Sequence, residues 1–165
     1  MHTQILTFIS KIEKNMIAGL LFFNVAILFI TVALRYLFNN PPIWTEEISR
    51  YVMIWIVYLG VSQSIETNTE IKIDILTQMT TSAIIKKLAH VIAVVTGIVV
   101  SVFMLFYGIE FTKTLFETRQ VAASIPIPMA YFYSIIPIAS VLMTIKYIVR
   151  LTAQITGFKS YFKNG

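Results

Sequence analysis

Four stretches without Lys, Arg, Asp or Glu dominate this chain: residues 15–34, 51–65, 88–109 and 120–145, of 20, 15, 22 and 26 residues. A helix needs ~20 mostly apolar residues to cross the hydrocarbon core of a bilayer. Three of the four stretches are long enough as they stand. The second becomes so if its helix starts near Thr45. There Thr45 can cap, and Glu46 and Glu47 fall in the first turn, where the helix dipole favours negative charge. Asn40-Pro41-Pro42 just before is a turn signal, because proline lacks a donor and restricts the residue ahead of it. Glu46 and Arg50 are four apart and can pair on one face. The expectation is an all-α integral membrane protein of four helices in a single domain, 1–165, with spans at approximately 15–37, 45–65, 88–109 and 122–145.

Composition agrees. Hydrophobic residues make up 57% of the chain and charged residues 13%, against about 25% charged in an ordinary soluble domain. The first apolar run is longer than the 7–15 residues of a typical signal-peptide core. Arg35-Tyr36-Leu37-Phe38 follows it, with no small-residue cleavage pattern, so it is read as a spanning helix.

Basic residues set the orientation. With the N-terminus in the cytoplasm, nine lie inside: Lys11, Lys14, Lys72, Lys86, Lys87, Lys146, Arg150, Lys159 and Lys163. Four lie outside: Arg35, Arg50, Lys113 and Arg119. Both termini are therefore expected to be cytoplasmic. The same bias accounts for the net charge of +5 without nucleic acid. Short amphipathic segments are expected at the interface. Ile5, Ile9, Ile12 and Met16 repeat at helical spacing, as do Tyr147, Leu151, Ile155 and Phe158. Ile71, Ile75, Leu76 and Met79 make a short helical stripe, although Ile71, Ile73 and Ile75 also alternate as a strand would.

Little here supports chemistry. The chain has no cysteine, which excludes disulfides, thiolate metal sites and cysteine nucleophiles. Its two histidines, His2 and His90, do not make the facing pairs that hold haem. Neither a phosphate-binding glycine loop nor a catalytic triad pattern is present. Polar groups inside a membrane usually mark function. The spans offer Asn24, Thr31, Ser62, Gln63, Thr96, Ser101, Ser134, Ser140 and Thr144, with no charge at a span centre. No catalytic residue, metal ligand or cofactor is expected.

What remains is charge at the outer helix ends: Arg35, Glu46, Glu47, Arg50, Glu110, Glu117 and Arg119. Glu46, Glu47 and Arg50 form the densest cluster, with Trp44 beside it as an interface anchor. Trp55 lies within the span and faces either lipid or a partner helix. In the fourth span, Pro126 and Pro128 belong to the leading turn. Pro137 falls in the helix interior, where it is expected to make a kink.

These residues resemble a known family. The run from Arg35 through Asn39-Asn40-Pro41-Pro42 to Trp44-Thr45-Glu46-Glu47 and Arg50-Tyr51 leads into Trp55 and Leu59-Gly60. Ile71-Lys72-Ile73-Asp74 follows, and later come Ile125-Pro126, Tyr133 and Ile136-Pro137. The pattern is similar to the small membrane (DctQ-like) subunit of the tripartite ATP-independent periplasmic (TRAP) transporters, and it runs along nearly the whole chain. Two departures stand out. Thr45 separates the tryptophan from the acidic pair, and Glu70 stands where a histidine often precedes the Ile-x-Val/Ile-Asp box.

The resemblance implies a scaffold subunit in a bacterial inner membrane, not an enzyme. Its implied partners are a large multi-spanning subunit that holds the sodium and substrate sites, a periplasmic substrate-binding protein, and membrane lipid. It implies partner contacts for Arg35, Trp44, Glu46, Glu47, Arg50 and Trp55, and a cytoplasmic structural role for Asp74. The substrate would be an organic acid such as sialic acid or a C4-dicarboxylate, recognised by other chains. Two rivals need different features. A four-helix glutathione-dependent enzyme needs a polar site of arginines and asparagines between helices. An autonomous small exporter needs an acid inside a span, for which Glu110 is nearest.

Overall fold

The computed structural model describes residues 2–39, 42–67 and 83–155. Among these described residues all five elements are helices: α1 (His2–Phe38), α2 (Ile43–Thr67), α3 (Ala83–Glu117), α4 (Met129–Tyr133) and α5 (Ile135–Ile155). Four candidate spans, long and apolar enough to cross a membrane, run Phe8–Phe38, Ile43–Ile65, Val91–Glu117 and Met129–Thr152.

Each of the four long helices described exceeds its apolar run. α1 starts at His2 and includes Lys11, Glu13 and Lys14. α3 continues past Glu110 to Glu117, where Lys113 and Glu117 pair at i,i+4, 3.6 Å apart. α5 carries Lys146 and Arg150 within its length. A charge does not stop a helix, because the backbone bonds are internal to it. α1 ends at Asn39, whose φ of 51° suits the left-handed position after a helix, and its N–H bonds the Arg35 carbonyl. Arg119, two residues past the end of α3, takes a φ of 50° without asparagine's tolerance of that region, and its N–H donates to the Phe116 carbonyl.

Two expectations are corrected. α2 begins at Ile43, so Thr45 is not its cap but a buried first-turn residue whose hydroxyl donates to the Pro42 carbonyl. The fourth long helix does not begin at 122. Residues 120–129 fold back on themselves, with Ala122 N–H donating to the Ile127 carbonyl and Met129 N–H to the Gln120 carbonyl. Pro126 and Pro128 lie in this turn.

The long helices stand in a row. α1 packs on α2, α2 on α5, and α5 on α3, so α1 and α3 are the edges. The small α4 bridges α2 and α3. The apolar core of the row is small: Ile65 of α2 with Ala139 and Met143 of α5, flanked by Tyr58 and Tyr147. Asn39, Pro42 and residues 118–128 mark the turn end of the row, opposite its terminal end.

Candidate functional site

α2 is the least apolar span, with a mean hydropathy of 1.2, and it carries the polar bonds that tie the row together. At the turn end, Arg35 of α1 pairs with Glu46 at 2.8 Å, with side chains 53% and 61% exposed. The expected partner of Glu46 was Arg50. Arg50 is exposed, and among the described residues no ion pair reaches it. Arg35 approaches from the neighbouring helix and takes the carboxylate instead.

Glu47 turns inward. Its two oxygens accept the Ala123 and Ser124 N–H groups at 2.9 and 2.6 Å, and the Tyr51 hydroxyl at 3.2 Å. One carboxylate thus holds the exposed amides of the 120–129 turn, a charge-assisted arrangement. Tyr51 stacks on Phe132 of α4 at 4.1 Å, and Tyr133 meets Phe111 of α3 edge-on at 5.3 Å. An aromatic chain therefore joins three helices.

Trp55 faces a partner helix within this chain. Its indole N–H donates to the Phe132 carbonyl at 2.9 Å. Pro137 is the third residue of α5, and the break between α4 and α5 at Ser134 lies in the turn before it. Proline gives no N–H to the Tyr133 carbonyl four residues back, and the Trp55 indole bonds the neighbouring carbonyl, that of Phe132. Trp44 is exposed at the start of α2. Lower down, Ser49 donates to Asn24 Oδ1 at 2.7 Å, linking α2 to α1.

At the terminal end lies a network that the sequence reading missed. Glu13 of α1 and Lys146 of α5 form an ion pair, with side chains only 3% and 6% exposed. Ser62 of α2 donates to Glu13 Oε1 at 2.8 Å, while its carbonyl accepts from Lys146 Nζ at 3.1 Å. Arg150 donates to the Ile65 carbonyl at 3.3 Å. Three helices therefore meet on one buried charge pair. The sequence puts Lys146 and Arg150 among the cytoplasmic basic residues and gives them no partner. A signal was present: Ser10, Glu13, Asn24 and Thr31 share one face of α1, all buried, a polar stripe at helical spacing.

Asp74 and Glu70 lie outside the described residues, as do the stripe at 71–79 and the amphipathic ends beyond 155. The side chains of Ile5 and His90 are likewise outside the description. Among the described residues, no group of three His, Cys, Asp or Glu side chains is placed to hold a metal. Glu13, Asn24, Arg35, Glu46, Glu47, Ser49, Trp55, Ser62 and Lys146 fasten elements to one another.

Four candidate membrane spans fastened to one another in this way make a multi-pass membrane protein. The chain belongs to the family described as "Tripartite ATP-independent periplasmic transporters, DctQ component", which matches residues 24–157. The DctQ component is part of a transporter and not an enzyme.

Relatives agree. The sialic acid TRAP transporter permease protein SiaT of Haemophilus influenzae is 24% identical over 155 residues, covering 93% of this chain and 24% of that protein. The isethionate TRAP transporter permease protein DctMQ of Oleidesulfovibrio alaskensis is 24% identical over 113 residues, 68% of this chain and 18% of that protein. The C4-dicarboxylate TRAP transporter small permease protein DctQ of Vibrio cholerae is 26% identical over 122 residues, 74% and 52% respectively. The chain therefore spans about a quarter or less of the first two relatives, and about half of the third.

Proposed function

We propose that this chain is the static membrane subunit of a sodium-coupled, binding-protein-dependent TRAP transporter that imports an organic acid such as sialic acid or a C4-dicarboxylate. It anchors a large multi-spanning subunit that moves as an elevator in the bacterial inner membrane. Membership of the DctQ family supports this reading. So do the relatives named as whole permeases, of which this chain matches only a minor part.

One structural observation carries the scaffold role. The row is pinned at both ends through α2, by Glu47 on the 120–129 turn and by Ser62 on the Glu13–Lys146 pair. These pins are fifteen residues apart, ~22 Å along the helix. A unit held that way resists shear, as the fixed partner of a moving subunit must. The basic-residue bias supports a reading with the turn end outside. There Arg50, Trp44 and the Arg35–Glu46 pair are exposed for contact with the large subunit or the binding protein.

The test is a tagged copy expressed with its genetic neighbours and extracted in mild detergent. A stoichiometric membrane protein of ten or more predicted spans should elute with it, and Arg50→Ala should reduce its recovery. Elution alone, or as a homo-oligomer, would overturn the reading. Full recovery and transport by Arg50→Ala would remove Arg50 from the interface.

A further inference from the structure

A polar side chain that faces lipid has lost water and gained no partner, so polar residues inside a membrane face a bundle interior, a cavity or another protein. α1, α2 and α5 obey this on their own. Every exposed residue of α1 in 16–34, of α2 in 51–65 and of α5 in 135–145 is apolar or glycine. Asn24 and Thr31 of α1 are turned inward and buried. α3 does not obey it. Thr96 and Tyr107 are exposed within its charge-free run, and Glu110, exposed as well, comes directly after Ile109 at the end of that run.

The three lie on one line. Thr96, Val100, Phe103, Tyr107, Glu110 and Thr114 alternate steps of four and three along α3, the 3.5-residue spacing with which one helix lies along another. All six are exposed, so nothing among the described residues covers the line. The Phe103 and Tyr107 rings stack within it, 6.2 Å apart and 11° from parallel.

Glu110 is the costliest member to leave against lipid. Among the described residues no cation lies within ion-pair distance of its carboxylate, and the neighbouring Lys113 pairs with Glu117. An aromatic layer gives its depth. Tyr133 of α4 meets Phe111 of α3 at 5.3 Å and Tyr51 of α2 at 6.2 Å, both edge-on. Tyr51 is five residues along α2 from Glu46, so this layer lies ~7.5 Å inside the Arg35–Glu46 pair. Glu110, next to Phe111, belongs to it. A carboxylate at that depth is stabilised by a donor from a neighbouring helix and by nothing that a lipid chain carries.

The two edges of the row therefore ask for different neighbours. α1 presents a wholly apolar membrane face, and α3 presents a polar seam. The relatives named as whole permeases indicate what meets such a seam: this chain matches a quarter or less of each, so there a far larger part of the permease is held beside it. Resting on the function proposed above, we propose that the α3 seam seats a transmembrane helix of the large subunit, one that brings a lysine, arginine or amide side chain to Glu110. The membrane face of α1 is left to lipid.

Site-directed photo-crosslinking of the complex, co-expressed from the chain and its genetic neighbours and irradiated in the membrane, tests this. Benzoylphenylalanine placed at Phe103 or at Tyr107 should capture the large subunit. Placed at Phe22 or Phe29 of α1, which are 78% and 73% exposed, it should not. Glu110→Leu should leave the isolated chain folded, since the side chain is exposed, and lower recovery of the large subunit about tenfold. Glu110→Gln, which keeps an acceptor, should retain more of it than Glu110→Leu does.

Capture from α1 with silence at both α3 positions would overturn the proposal. So would capture of a second copy of this chain at Phe103 and Tyr107, or full recovery with Glu110→Leu. The unaltered chain separates this inference from the reading beneath it. If it recovers no large subunit, the proposed function falls and the seam's occupant with it. If it recovers the large subunit but the crosslinks come from α1, only the placement on α3 is wrong.

Discussion

The two seams that flank the centre of the row are built on opposite plans. α1 is fastened to its neighbours by polar side chains at three levels: Arg35–Glu46, Asn24–Ser49 and Glu13 with Ser62 and Lys146. α3 is fastened to α5 by closeness. A Cβ added at Gly97 would lie 2.4 Å from Cζ of Tyr147, and one at Gly108 would lie 2.8 Å from Cγ2 of Ile136 and 3.3 Å from the Pro137 nitrogen. The Ser101 and Thr144 hydroxyls, 3.1 Å apart, sit between these contacts. Lipid tails are as apolar as leucine, so hydrophobic burial does not hold helices together in a bilayer. Hydrogen bonds and close packing of small residues do. The comparison teaches that one small protein uses both, one on each side of its row.

The polar seam should break hardest at its buried end. Lys146→Met leaves Glu13 as a charge without its counter-ion between three helices, and breaking such a pair costs ~3–5 kcal/mol. A large loss of stability is expected when unfolding is followed in detergent. The double variant Glu13→Gln with Lys146→Met should recover most of it, because removing both charges is far cheaper than stranding one. If the double variant is as unstable as the sum of the two singles, the pair is not a coupled unit.

The close-packed seam should respond to added volume with a sign that depends on place. In a helix, Gly→Ala is favourable by ~1 kcal/mol from propensity alone. Gly97→Ala must displace the Tyr147 ring, and overpacking of this kind costs ~1–3 kcal/mol, so net destabilisation is expected. Gly19 of α1 has nothing within 4 Å of an added Cβ. Gly19→Ala should therefore stabilise by up to ~1 kcal/mol. Two glycine substitutions moving the unfolding midpoint in opposite directions would confirm the contrast, and the same sign at both sites would refute it.

Trp55 probes the join between the seams. Trp55→Phe keeps the aromatic bulk but removes the donor to the Phe132 carbonyl, and a hydrogen bond of this kind is worth ~1 kcal/mol. A loss of about that size is expected if the break at Ser134 depends on the indole. No change would mean that the backbone finds another donor.

Much of this design is written locally and some of it is not. Four helices follow from four apolar runs, and the site of the first turn from Asn39 through Pro42. Charge at the turn end was also legible, but its pairing was not: the i,i+4 spacing points Glu46 to Arg50, and Arg35 takes it from the neighbouring helix. The Glu13–Lys146 pair was not legible. Its members are 133 residues apart, and each sits beside other charges at the end of an apolar run, where a solvated juxtamembrane charge looks the same. Glu47 shows a subtler failure. It is adjacent to Glu46 and reads as its twin, yet one step along a helix turns a side chain by ~100°, and that rotation sends Glu47 into the 120–129 turn while Glu46 stays outside.

The smallest expected effect marks the limit of the polar plan. Arg35 and Glu46 are more than half exposed, and exposed pairs contribute ~0.2–1 kcal/mol with salt screening them further. Arg35→Ala should therefore lower the stability of the isolated chain by well under the Lys146→Met effect, and the loss should shrink as salt is raised. Asn24–Ser49 and the buried pair still hold α1 in place, so α1 should not detach. A loss as large as that of Lys146→Met, insensitive to salt, would mean that the turn end and not the terminal end holds α1 in the row. If Arg35→Ala costs the chain almost nothing but lowers recovery of the large subunit, then the cheapest bond in the seam is the one that faces outward to the partner.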